Sequence, residues 1–451
     1  MKKAQQREQK RNKSEFAAWA KVSRHFFPDL PEWLNSMADP RNRAYITYDQ
    51  AVLVLMCIMK NISGIATMRG MNQSFNEDAA IINLGYLADA PALSEMPDWQ
   101  TANNYLERLD IKEIEKIRRA MISRLLRSKQ FDRYKFEGCW KIIIDGTGIA
   151  CFRERHCAHD LVMRQKDPKT GEETIFYFHK LLEAKIIMGP GIVISLDTEF
   201  IENEDENITK QDCEMNAAKR LTGRIKENFP RLPICILADG LYATMPFMAI
   251  CRGFGWHYML NLKDGVQKTI AEDFRLLVET EGYQRVMEGL CGIEQGKGAF
   301  RNHMEEISGK EEVCNVFEYR HTVVEGNKSR EVRFVWVTDL LITMKKLEKY
   351  ILAGRDRWKI ENEGFNNQKN GIYKIEHLCS RHENGMKAHY LITQIADMLM
   401  QLYLAYGKIL AAVKRPIKSI ARRIGECFWG YTLTEADKEM IETRSAFRLK
   451  T

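Results

Sequence analysis

Two short runs, Lys141 to Asp145 (KIIID) and Ile234 to Asp239 (ICILAD), constrain this chain more than anything else in it. Both are too apolar and β-branched for a strand with one wet face. Each therefore predicts a strand covered on both sides, as in parallel or mixed sheets flanked by helices. Each run ends in a carboxylate followed by glycine, Gly146 and Gly240, and the first continues into what reads as a Gly-Thr-Gly turn. Lys185 to Phe200 holds two more strand-like runs about Gly189-Pro190-Gly191, and His257 to Leu262 another. Helices are expected over Ile208 to Phe229 and from about Met245 to Gly253. Strands interleaved with helices indicate an α/β fold with a mixed sheet.

The chain before these strands reads as helical from about residue 15 to 130. Thr47 with Gln50, and Asp110 with Glu113, have capping-box spacing, and Ile114, Ile117, Met121 and Leu125 recur at helical steps as a buried stripe. From about 265 to 338 the texture changes to alternating runs, Val313 to Glu325 and Glu331 to Val337, joined at Gly326-Asn327. These predict a β-hairpin within an inserted subdomain. Helical texture resumes at Thr343. The expected organisation is a helical N-terminal region over 1–135, a core in two parts over 136–264 and 339–410, a β-rich insertion over 265–338 and a helical tail over 411–451.

Composition narrows the setting. Eleven cysteines without a C-x-x-C pair predict a reducing compartment, and the charged N-terminus lacks the apolar stretch of a secretory signal. Both point to the cytoplasm. The apolar tract Leu391 to Val413 is interrupted at helical spacing by Gln394, Asp397, Gln401 and Lys408, so it reads as an amphipathic helix closing the core, with no membrane partner. A formal charge of +7, from 68 basic and 61 acidic residues, is compatible with a polyanionic partner. The excess concentrates in MKKAQQREQKRNK at the start and in KRPIKSIARR at 414–423.

The acids carry the chemistry. Carboxylates from neighbouring strands can share a hard divalent cation, since Mg²⁺ takes oxygen ligands and uses one or two carboxylates plus phosphate oxygens. A following glycine would let a phosphate approach. Taken singly, Asp145 or Asp239 is a turn cap; as a pair they are a candidate metal site. The third element is RWKIENEGF, residues 357–365, where Gly354, Arg357, Glu361, Phe365 and Gln368 would share one helix face. Glu361 would then reach the acids and Arg357 a phosphate, although Glu361 on its own could simply pair with Arg357 four residues earlier.

The order of a strand-end Asp, a second in ICILADGLYA, a β-rich insertion and then RWKIENEGF resembles the DDE transposases of bacterial insertion sequences, and more narrowly the group around insertion-sequence family four. That group's signature is Tyr, two residues, Arg, three residues, Glu, six residues, Lys. Arg357 and Glu361 match it, whereas Gly354 stands in the Tyr position and Gln368 in the Lys position, with Lys369 adjacent. KQDCEMNAAKRL, YKIEH at 373–377 and the closing helix also look like this group, and the likeness spans roughly 40–410. It implies a ribonuclease H-like core with Asp145, Asp239 and Glu361 as catalytic metal ligands, Asp145 bridging two Mg²⁺ ions for which Mn²⁺ can substitute. It further implies Arg357 and Lys369 as phosphate contacts. The reaction implied is cleavage at transposon ends and transfer of the freed 3′-hydroxyl into target DNA by cut-and-paste transposition. The partners would be double-stranded inverted repeats and target DNA, bound by a homodimer or higher multimer at the nucleoid. A stand-alone ribonuclease H-like nuclease and a catalytically silent DNA-binding derivative are the rival readings; the first is disfavoured by the helical N-terminal region and the insertion, the second by retention of all three acids.

Other groups compete for a role. Trp336 and Trp358 could stack on an unpaired base, but burial statistics favour core packing for both. Cys151, His156, Cys157 and His159 crowd together, yet C-x4-H-C-x-H matches no common zinc pattern and adjacent ligands do not easily converge on one ion. Asp197 and Asp339 lack the glycine neighbour and read as capping or salt-bridging acids. The basic stretch Lys116 to Arg127 reads equally as a DNA-reading helix and as a packing helix with solvated charges.

Overall fold

The computed structural model describes residues 3–205, 210–263, 267–290, 293, 295–305, 313–325, 328–406 and 415–443, with side chains from residue 15 onward except those of 324, 325 and 328. The Gly326-Asn327 turn, the start of the helix expected at Ile208, the apolar tract beyond Tyr406, Lys414 and the side chains of the opening basic segment lie outside the described residues.

Seven helices come first: α1 Lys3–Phe26, α2 Leu30–Asn35, α3 Gln50–Ile62, α4 Met68–Phe75, α5 Asp78–Leu87, α6 Trp99–Leu106 and α7 Ile111–Arg127. The strands β1 Trp140–Phe152, β2 Leu161–Lys166, β3 Glu173–Gly189 and β4 Ile192–Ile201 follow, then α8 Glu214–Asn228, β5 Ile234–Ala238, α9 Met245–Gly253 and β6 His257–Asn261. The inserted segment contributes α10 Lys268–Glu281 and strands β7 Arg285–Glu288, β8 Gln295–Glu305, β9 Val313–Glu325 and β10 Lys328–Thr338. The chain ends with α11 Leu347–Arg355, α12 Asn366–Asn370, α13 Glu383–Tyr406, α14 Ile417–Gly430 and α15 Glu435–Glu442.

Neither expected capping box is present. The α3 helix begins after Asp49 with no side-chain cap, and Asp110 caps α7 by accepting from Lys112 N while the Glu113 carboxylate accepts from Ala38 N. The α7 stripe is buried as expected, and its Arg118 is buried too, donating to Ser195, Asp197 and Thr198 of β4. This is a packing helix.

The sheet has a ribonuclease H-like centre, β4-β3-β1-β5-β6, in which β1 runs antiparallel to β3 and parallel to β5, and β5 runs parallel to β6. The inserted strands do not form a sheet of their own. β10 pairs antiparallel with β6, and β9, β8 and β7 continue outward from it. Helices flank this mixed sheet.

Strand alternation divides the interior in two. Ile142 and Ile144 of β1, with Ile234, Ile236 and Ala238 of β5, join the large core shared with the N-terminal helices, α13 and α14. Ile143, Cys235 and Leu237 point the other way, into a smaller core with Trp336, Tyr350, Ile351, Ile360 and Phe365. Successive side chains of a strand take opposite faces, so Asp145 shares the Ile143 face of β1. Asp239, two residues after Leu237, continues the corresponding face of β5. That is the face against which the Glu361 segment packs.

Candidate metal-binding acidic site

Asp145 is not at the end of its strand. β1 runs on through Gly146, Thr147 and Gly148, which form ladder pairs with β3 and not a turn, and a bulge follows between Gly148 and Ala150. The strand beside β1 is what stops: β5 ends at Ala238, and the Ile143↔Leu237 register carried two residues further sets Asp145 beside Asp239. A crevice beyond the carboxyl end of a parallel strand is the expected ligand position in an open α/β sheet.

The third acid arrives on an irregular segment. Where a regular helix was expected, α11 tightens to a 3-10 turn at Asp356–Trp358 and then loosens to a π-turn at Ile360–Phe365 before α12. The Gly354 contact explains part of this run: a Cβ there would lie 2.6 Å from Cε2 of the buried Trp336, so the position given to Tyr in the family signature is filled here by an indole from β10. Gln368, in the signature's Lys position, is wholly buried and donates to Gln394 and Asp397 of α13. Lys185 of β3 stands against the same two side chains, 3.2 Å from Gln394 Oε1 and 3.8 Å from the Asp397 carboxylate, and its stem lines the space beside Gly364. The segment is thereby tied to β3 and α13.

Arg357 links the acids. Its buried guanidinium donates to Glu361 Oε1 at 3.0 Å and lies 3.6 Å from Asp145 Oδ2, so the structure brings Asp145, Arg357 and Glu361 together. Asp145 Oδ1 accepts from Gly146 N at 2.9 Å. Burial pushes the Asp145 carboxyl up to about 6, against the pull of Arg357 and of the Gly146 amide, and repulsion from Glu361 and Asp239 adds to the rise. Asp239 accepts from Leu241 N and from the Lys263 ammonium, both at 2.9 Å. Lys369 is paired with Glu376 at 2.9 Å.

The glycines also accommodate close neighbouring side chains. A Cβ on Gly146 would lie 2.8 Å from the Glu214 carboxylate, and one on Gly240 would lie 2.9 Å from the Lys263 side chain. Their missing methyls make room for neighbouring side chains. Glu214, at the start of α8, pairs with Lys180 and accepts from the Tyr242 hydroxyl at 3.1 Å; burial first, then Glu214, with Asp145 and Asp239 adding to it, hold the Tyr242 pKa up. Glu214 and Tyr242 lie within KQDCEMNAAKRL and ICILADGLYA, and Lys180 and Lys263 in no motif. The sequence alone assigns none of them a role, because their nearness to the acids depends on how distant elements pack and not on local pattern.

The rival acids are committed elsewhere. Asp197 is bound by Arg118 and Arg224, and Asp339 accepts from Tyr258 N and pairs with His257. Trp336 is in the core, stacked on Phe317 and Phe334. Trp358 is 41% exposed, with the Arg357 guanidinium 4.6 Å from its ring centroid. The His156/Cys157 region is assembled differently from the expected set: Cys151 is exposed and His159 bonds Asn203 O, while His156 and Cys157 meet Asp160 and His179.

Asp145 and Asp239 share a sheet face, and Arg357 ties Glu361, on the neighbouring turn, to Asp145. Their oxygen donors are of the type a hard divalent ion takes, but among the described side chains the three do not close to within 4.8 Å of one another. None of the described helices is long and apolar enough to cross a membrane. No family model and no curated protein matches this chain. Among solved structures it is similar to piggyBac transposase, solved by cryo-electron microscopy as a synaptic complex with hairpin DNA, at 9% identity and a TM-score of 0.40, covering 94% of this chain and 81% of that one. A likeness of that size carries no functional information.

Proposed function

We propose that this chain is a DDE transposase of the insertion-sequence type, cleaving DNA at element ends and joining the freed strand to target DNA. The observation that carries the reading is the shared sheet face of Asp145 and Asp239, with Glu361 joined to Asp145 through Arg357. Asp145, Asp239 and Glu361 would hold two Mg²⁺ ions, or Mn²⁺ in their place. Held there, such ions would supply activation of an attacking oxygen and stabilisation of a leaving one.

The chain's own side chains then have distinct tasks. Arg357 screens the repulsion between Asp145 and Glu361 and offers a guanidinium to the scissile phosphate. Lys263, with its side chain 62% exposed beside Asp239, offers an ammonium to the DNA backbone, as would Lys369 once released from Glu376. The exposed face of Trp358 suits an unstacked base. The partners are double-stranded element ends and target DNA, held by a homodimer or higher multimer in the cytoplasm at the nucleoid.

Strand cleavage and transfer on end-containing DNA test this, comparing the wild type with Asp145→Asn, Asp239→Asn and Glu361→Gln. Each substitution keeps shape and removes metal-binding charge, so the rate should fall by roughly three orders of magnitude or more while DNA binding persists. Variants as active as the wild type would remove the acids from the chemistry. Cleavage without any joined product would leave a nuclease and not a transposase.

A further inference from the structure

Well away from the acidic site, four side chains converge on one point. The connection between β1 and β2, residues 153–160, carries His156, Cys157 and Asp160, and β3 carries His179. Their ligand atoms all lie within 4.8 Å of one another. Cys157 Sγ is 3.3 Å from Asp160 Oδ1 and 3.9 Å from His179 Nε2, and His179 Nε2 is 2.9 Å from Asp160 Oδ1. Zinc bonds of about 2.0–2.3 Å to nitrogen, oxygen and sulfur imply tetrahedral edges of about 3.3–3.8 Å. The observed spacings bracket that range.

The connection is built so that these atoms face inward. Asp160, with no exposed surface, uses Oδ2 to accept from the backbone amides of His156 at 2.6 Å and Cys157 at 3.1 Å, which leaves Oδ1 toward the thiol and imidazole. The His156 ring stacks on Phe152 with centroids 4.4 Å apart, and its Nδ1 is buried without a hydrogen-bond partner. Asn203 holds the far side of the connection, donating Nδ2 to Asp160 O at 2.6 Å and accepting from the His159 ring at 2.8 Å. A buried carboxylate, a thiol and two imidazoles around one point, one imidazole with a buried and unpartnered Nδ1, call for a cation.

A Cys-His-Asp nucleophilic relay does not fit the same residues. A relay uses the two ring nitrogens of histidine in series, one toward the thiol and one toward the carboxylate. Here the thiol and the carboxylate both approach His179 Nε2. Convergence on one ring nitrogen is the geometry of ligands about an ion.

We propose that His156, Cys157, Asp160 and His179 form a structural zinc site that fastens the β1–β2 connection to β3. Two imidazoles, a thiolate and a carboxylate suit this borderline ion better than Mg²⁺, and their two negative charges neutralise its two positive ones. Four protein ligands leave no open position for substrate. The site is separate from the acidic one: His179 lies four residues from Glu183, the β3 partner of Asp145, roughly 13 Å along the strand. It also stands whether or not the chain is a transposase.

Elemental analysis of the purified full-length protein after dialysis tests the site, together with titration of the metal-stripped protein with Co²⁺. The expected result is one zinc ion per chain, and on Co²⁺ addition a thiolate-to-cobalt charge-transfer band saturating at one equivalent. Cys157→Ser and His179→Gln should abolish the band, and Asp145→Asn should leave it unchanged. The wild-type titration needs no substitution, so it decides the matter even if a variant fails to fold. Absence of stoichiometric Zn²⁺ or Co²⁺ binding by the wild type would overturn the proposal, as would an undiminished band in a folded Cys157→Ser protein.

Discussion

At neutral pH the Asp145 carboxylate is charged in a place that resists charge. Its folded pKa of about 6 lies above the ordinary 3.8, so the folded state binds this proton more tightly than the unfolded chain does. The associated stability is fully present below the unfolded value and is lost as pH rises to the folded one. By neutral pH the metal-free protein carries a cost on the order of 2–3 kcal/mol at this residue. Asp145→Asn should therefore raise the melting temperature of the metal-free protein at neutral pH, with the gain shrinking as pH falls through about 6. Mg²⁺ should stabilise the wild type and not the variant. A lower melting temperature for Asp145→Asn at neutral pH would mean that Arg357 more than offsets the burial.

At the scale of elements, the third-acid segment shows how one close approach shapes a helix. Trp336 is stacked on Phe317 at 5.0 Å and Phe334 at 5.8 Å, so it cannot retreat from Gly354. Gly354→Ala should overpack this contact and cost about 1–3 kcal/mol, measured by denaturant unfolding, and should lower any activity that needs Glu361 in place. Undiminished stability would show that the indole can turn away. The sequence supplied the acids and Arg357 at the right spacing, since i,i+4 pairing is local. It did not show the 3-10 and π turns around them, because these answer to Trp336, Lys185 and Gln394, which lie on β10, β3 and α13. A π-turn at a functional residue is a common device for turning a side chain off the regular helix path.

At the scale of the whole molecule, the N-terminal helices share their core with the end of the chain. Phe16 packs on Phe428 and Phe26 on Tyr406, Asn83 donates to the carbonyls of Phe428 and Tyr431, and His389 bonds Asn103 at 2.8 Å. A fragment beginning at residue 136 would expose this apolar surface and should aggregate, and recovery of a soluble fragment with a sharp melting transition would contradict the shared core. By itself the sequence determined the apolar central strands around Ile142–Ile144, Ile234–Ala238 and His257–Asn261, because Ile, Val and Leu runs have few other fates, but not β2, β7, β8 or the continuation of β1 past Asp145. It also placed Arg357 within reach of Glu361. Only the tertiary structure decided what Gly146, Gly240 and Gly354 make room for, that the inserted strands extend the central sheet, and that His156 and Cys157 meet His179 and not Cys151. Those outcomes depend on contacts between residues distant in the chain, which local periodicity does not encode.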